Sequence, residues 1–108
     1  MERRVDILAL RSVVKVGRIE WQRHALERMA ERGIAQAEVK ATLLRGERVE
    51  DYPDAYPLPA VLLLGWRGKR PLHVVAAYDD EAATAYVTTA YEPTSEHFEP
   101  DFRIRRRT

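Results

Sequence analysis

Three residue groups in this chain could do chemistry. The first is His24, Arg28 and Arg32, each four residues from the last. At 100° per residue that spacing puts them on one stripe of a helix. Like charges four apart cost a helix roughly 0.2–0.5 kcal/mol per pair, so the stripe does not serve the helix itself. An anion lying on it would account for it. The plain alternative is a solvated face on which Arg28 pairs with Glu31 and Arg23 with Glu27. The second group is His73, inside the apolar run Leu72-His73-Val74-Val75-Ala76-Ala77-Tyr78. Strand alternation gives His73 the face of Val75 and Ala77, with Leu72, Val74, Ala76 and Tyr78 opposite. An imidazole titrates near neutrality and suits general acid–base work, although a hydrogen-bonded structural histidine would look the same. The third is Tyr91, which alternation places with Thr89 on one face and Thr88 on the other. A phenol can donate to a phosphate or stack on a base, while Thr and Tyr are also ordinary strand residues.

Other chemistries lack their residues. There is no cysteine, hence no thiol nucleophile, disulfide or thiolate metal site. His24, His73 and His97 show no ligand spacing, so neither a metal nor a cofactor is expected. No glycine loop could cradle a phosphate, and Ser12 and Ser95 stand in no nucleophile motif. Metal-free proton transfer with Arg, His, Tyr and carboxylates remains. RNA asks for little more, because its 2′-OH is a built-in nucleophile.

The elements that must hold these residues follow from periodicity. Helical spacing predicts helices near 4–16, 22–33 and 36–45, with Gly17, Gly33 and Gly46 as stops. The third lacks a Ser or Thr cap, since Ala35 precedes it. The stretch 18–21 alternates and reads as a short strand or an extended lead-in. After Gly46 the pattern turns to strands near 47–52, 60–67, 72–79 and 84–91. Pro53, Pro57 and Pro59 enclose an extended loop. The expected fold is α+β: N-terminal helices packed on one face of a curled antiparallel sheet of about four strands.

The 108 residues fit a single domain: 1–20 as N-terminal helix and lead-in, 21–46 as two helices, 47–93 as an antiparallel meander, 94–108 as a basic C-terminal tail. The net charge is only +1, yet it is unevenly spread, with Lys only at 15, 40 and 69 and an arginine cluster at 103–107. Arginine suits bidentate phosphate contacts, and a local patch outweighs a total. Apolar runs such as Val61-Leu62-Leu63-Leu64 are far too short to span a bilayer, and Asp6 and Arg11 break the N-terminal apolar stretch. No membrane association is expected, and a reducing cytoplasm is the expected compartment.

The string His24-Ala25-Leu26-Glu27-Arg28-Met29-Ala30-Glu31-Arg32-Gly33-Ile34 is more specific than any single residue. With Glu38-Val39, Gly46-Glu47, Asp51-Tyr52-Pro53, Pro71-Leu72-His73-Val74-Val75 and Thr89-Ala90-Tyr91-Glu92-Pro93, it resembles the bacterial family catalogued as domain of unknown function 4258, from Trp21 to about Arg106. That family is similar in element order to RelE/BrnT-like toxins of type II toxin–antitoxin systems. The resemblance implies a RelE-like fold, ribonuclease activity on messenger RNA (free or on the ribosome) and an inhibiting antitoxin of zinc-finger type. His24, Arg28, His73 and Tyr91 are then the candidate catalytic residues, and Arg32, Arg103, Arg105 and Arg106 the candidate RNA-binding ones. A toxin ribonuclease predicts that His24, Arg28, His73 and Tyr91 converge in one exposed concavity beside the tail. A non-catalytic nucleic-acid- or protein-binding module predicts a basic face with no histidine in reach, and an inactive relative predicts buried histidines.

Overall fold

A computed structural model describes residues 4–106. Among these the elements run α1 (Ile7–Lys15), β1 (Ile19–Trp21), α2 (Arg23–Arg32), α3 (Gln36–Arg45), β2 (Glu47–Tyr52), β3 (Ala60–Arg67), β4 (Arg70–Asp79) and β5 (Thr84–Tyr91). The fold is α+β. Asp6 caps α1 by accepting from the Leu8 and Ala9 amides, a stop the chain needs because four N–H groups there lack helical partners. Gly33 ends α2 in the left-handed region at φ 67°. Ala35 has no side chain to cap α3. Instead Glu38 reaches back to the Ala35 amide at 2.9 Å, the reciprocal half of a capping box.

The sheet has five strands in the order β1-β5-β4-β3-β2, and it is mixed. Strands β2 to β5 form the antiparallel meander that periodicity indicates. The expectation of about four antiparallel strands is corrected by β1, which pairs in parallel with β5 through Ile19↔Ala85, Glu20↔Tyr86 and Trp21↔Val87. Three residues are too few for periodicity to declare a strand. Pairing decided it, because the chain between α1 and α2 runs along the free edge of β5.

One face of the sheet carries Val61, Leu63, Leu72, Val74, Ala76, Val87 and Ala90 against Leu10, Val14, Ala25, Met29, Val39 and Leu43 of the helices. Val87 and Ala90 both face inward although three apart. A bulge between Val75 and Ala76 on β4 absorbs the extra residue on β5, so the simple alternation expected at Thr88 fails there. Helix α3 lies close on β3. A Cβ at Gly65 would come within 2.2 Å of Thr42 Oγ1, so only glycine lets the two elements approach this far.

The second face of the sheet holds Leu62, Leu64 and His73, all buried. His73 is covered by the segment 94–106, whose Phe98 is 2 % exposed and meets the His73 ring, and whose backbone pairs Phe98 with Arg105. The C-terminal residues are therefore a packed cover and not a free basic tail. Arg107 of the expected cluster lies outside the described residues.

Candidate functional site

Strand β5 ends at Tyr91 beside the hairpin that joins β3 to β4. Antiparallel register sets Arg67 opposite Arg70, and His73 opposite Tyr91, at the same end of the sheet. The last turn of α2 brings Arg32 to that end, where its guanidinium donates to the Ala90 carbonyl at 2.8 Å. Arg32, Arg67, Arg70, Tyr91, Glu92 and Ile34 line a concavity of about 560 Å³. Three guanidinium groups and one carboxylate leave it net positive.

The arginines are held differently. Arg67 is almost wholly buried, and donates to the Gly33 carbonyl at 3.1 Å and to Glu92 at 2.7 Å, with Glu38 at 3.5 Å. Glu92 also takes Arg70 at 2.7 Å. Hydrogen bonds from Arg70 and Arg67 hold the Glu92 carboxyl below its ordinary range, so this carboxylate stays charged and spaces the two arginines. Arg70 remains two-thirds exposed and is the arginine freest to meet a ligand.

Behind Tyr91 sits His73, 0 % exposed. Its Nε2 lies 2.8 Å from the Phe102 carbonyl, and its Nδ1 lies 3.3 Å from the Tyr91 hydroxyl. A carbonyl can only accept, so Nε2 carries the proton. Burial lowers the His73 pKa, which keeps the ring neutral and Nδ1 an acceptor. The Tyr91 hydroxyl therefore donates to His73. Burial also raises the Tyr91 pKa, so the phenol keeps its proton at neutral pH. Phe98 meets the His73 ring edge-on at 4.6 Å, and Arg105 stacks over Phe98 at 4.8 Å. Glu50 takes Arg105 on both carboxylate oxygens, at 3.0 and 3.2 Å, and accepts from Tyr52 at 2.6 Å. These contacts hold Glu50 ionised, the Arg105 bond foremost, while burial and Glu50 push the Tyr52 phenol far up.

The structure thus divides the residues singled out by sequence. His73, Tyr91 and Arg105 come together, and Arg32 joins Tyr91. His24 and Arg28 are exposed on α2 and line neither the concavity nor the His73 pocket. Arg28 pairs with Glu31 at 3.2 Å and Arg23 approaches Glu27 at 3.9 Å, the solvated-face arrangement. The expected convergence of four residues in one exposed concavity is not what forms, because His73 faces away from the helix layer that carries His24 and Arg28. The arginines of the C-terminal segment are committed to carboxylates: Arg103 to Glu47 at 2.7 Å, Arg105 to Glu50, Arg106 to Glu99 at 3.4 Å. Sequence reasoning missed Arg67, Arg70 and Glu92. The string Arg67-Gly68-Lys69-Arg70 reads as a turn, and only hairpin register shows that it ends next to residue 91. Among the described residues no three His, Asp or Glu side chains gather as a metal cluster, and no helix is long and apolar enough to cross a membrane.

Every residue of the concavity, and His73 with Glu50 and Tyr52, lies between Trp21 and Glu92. A family model described as domain of unknown function (DUF4258) matches residues 21–92. The chain belongs to this family. The DUF4258 span covers all five strands except the first two residues of β1, together with α2 and α3, and it stops before the segment 94–106 that covers His73. Neither the curated proteins nor the solved structures compared with the chain gave a match.

Proposed function

We propose that this protein is the toxin of a toxin–antitoxin pair, a RelE-like endoribonuclease of the cytoplasm that cleaves messenger RNA through its 2′-OH without a metal. The observation that carries the reading is the position of Tyr91, a residue that lines the arginine-bearing concavity and whose hydroxyl donates to a buried neutral histidine. A phosphodiester in the concavity meets Arg70 and Arg32, with Arg67 fixed behind them. The Tyr91 oxygen accepts the 2′-OH proton as its own proton passes to His73 Nδ1. The 2′-oxygen then forms its bond to phosphorus, and the 5′-oxygen leaves and takes a proton from water. His73 then returns its proton to Tyr91 as the Tyr91 proton passes to the hydroxide so left, and the 2′,3′-cyclic phosphate departs. The antiparallel meander β2–β5 with helices on one face supports the RelE-like part of the reading, and an antitoxin of zinc-finger type is the partner it implies.

The test is cleavage of single-stranded and ribosome-bound RNA, with and without a chelator, by the wild type, Tyr91→Phe and His73→Gln. Losing the proton carrier should lower the rate about 10²- to 10⁴-fold. Unchanged cleavage by Tyr91→Phe sinks the mechanism, and loss of wild-type activity on chelation sinks its metal independence. A second reading, a binding module that cleaves nothing, is favoured by one feature: Glu92 already occupies both Arg67 and Arg70. It predicts RNA binding weakened by Arg70→Ala with no cleavage by any variant. Co-expression with a candidate zinc-finger-type antitoxin, scored for growth arrest and rescue, tests the partner.

A further inference from the structure

A second opening lies farther along β5, on the sheet face that carries His73 and the Tyr91 side chain, opposite the helices. Ala60, Ala77 and Ala55 leave it shallow-floored, Tyr86 and Thr88 of β5 bound one side, and Tyr56, Pro57 and Leu58 of the proline loop bound the other. Gln22 closes one end. Its volume is about 350 Å³, and no charged side chain lines it. The cover 94–106 does not reach it. Tyr56 is 95 % exposed, an unusual state for a large ring held in a loop that Pro53, Pro57 and Pro59 stiffen.

We infer that this slot holds an unpaired nucleobase of the RNA whose phosphate sits in the arginine concavity. The inference rests on that reading of the concavity and adds how the strand is held: single-stranded RNA, gripped at the arginine-lined end of the sheet and, past Tyr91, on the face opposite the helices. Register ties the two places together. Tyr86 pairs with Ala77 and Tyr91 with His73, four residues apart on β4 and so about 13 Å along the face. A single strand with a stacked repeat of ~3.4 Å crosses that distance in a few nucleotides. Thr88 shares the slot with Tyr86 because the two alternate with inward-facing Ala85 and Val87. Two aromatic rings and three alanines make flat, uncharged walls, which suit a base and not a phosphate. Gln22 and Thr88 offer both donors and acceptors to a base edge. A duplex buries its base edges in stacked pairs and has no base to give the slot.

The experiment is equilibrium binding of a labelled single-stranded hexanucleotide, the same strand with abasic positions, and the matching duplex, to the full chain. Tyr56→Ala and Tyr86→Ala should each weaken the hexanucleotide roughly 5- to 150-fold, the worth of one stacked base. Neither should weaken the abasic strand further, and Tyr86→Phe should bind as the wild type does. Tyr56→Ala, at an exposed loop ring, keeps the test valid should Tyr86→Ala fail to fold. Wild-type affinity in both alanine variants, with Arg70→Ala weakened, overturns the slot and leaves the concavity standing. The same result joined to a lost antitoxin complex assigns the slot to a protein instead. Wild-type affinity in Arg70→Ala, with the tyrosine variants weakened, overturns the concavity and leaves the slot.

Discussion

His73 makes a prediction that requires no RNA. Its imidazole is fully buried between Tyr91, Phe98 and the Phe102 carbonyl, and burial lowers its pKa from the ordinary 6.5. The unfolded chain then takes up a proton that the folded chain refuses. Stability from this group is complete above pH 6.5 and is lost as pH falls toward the folded pKa, with a slope of at most about 1.4 kcal/mol per pH unit. His73→Leu removes the titrating group at similar volume. At pH 7.5 it should be less stable by about 1–3 kcal/mol, since the Phe102 carbonyl loses its donor inside the protein. As pH drops from 6.5 to 5 the wild type should weaken faster, and the gap should narrow by up to about 1.4 kcal/mol per unit. Carboxylates held low by arginine, such as Glu50 and Glu92, add acid sensitivity of the same sign below pH 4.5, outside this window. Urea unfolding followed by the fluorescence of Trp21 and Trp66 at half-unit steps of pH measures both curves. Parallel curves, with a constant gap from pH 7.5 to 5, would mean that His73 titrates in the fold as it does in the unfolded chain, open to water. The tautomer argument for Tyr91 would fall with it.

Three further outcomes can be checked. Gly65→Ala sets a Cβ 2.2 Å from Thr42 Oγ1 and 2.9 Å from its Cβ. It should cost about 1–3 kcal/mol in a urea midpoint, and adding Thr42→Ala should return part of that; an unchanged midpoint contradicts the close approach of α3 to β3. Arg105→Ala breaks the half-exposed Glu50 pair and the stacking on Phe98, so it should cost about 0.5–1 kcal/mol and less in 1 M salt. Hydrogen exchange at Phe98 and Arg106 should quicken, and unaltered exchange would show the cover is not held there. Asp6→Ala removes the cap of α1 and should lower stability by about 1 kcal/mol, read from thermal melts; no change means the cap bonds are not formed in solution.

The three helices and the meander were legible in the sequence because each rests on local periodicity, and Gly33 and Gly46 marked the helix ends. Alternation also gave the correct faces of β4, with His73 on the side of Val75 and Ala77. Residue chemistry alone singled out His73, Tyr91 and Arg32. What the His73 face meets was beyond local reading. The cover of 94–106 is a long-range packing event driven by Phe98, and ion pairs with Glu47 and Glu50, some 55 positions away, turned an apparent basic tail into a neutralised one. The strand at Ile19–Trp21 was likewise decided by pairing with β5, since three residues carry too little pattern to announce themselves. Arg67, Arg70 and Glu92 could not be read as site residues at all. Each looks like ordinary surface charge in its own segment, and only the register of two hairpins brings them to the end of β5 beside Tyr91.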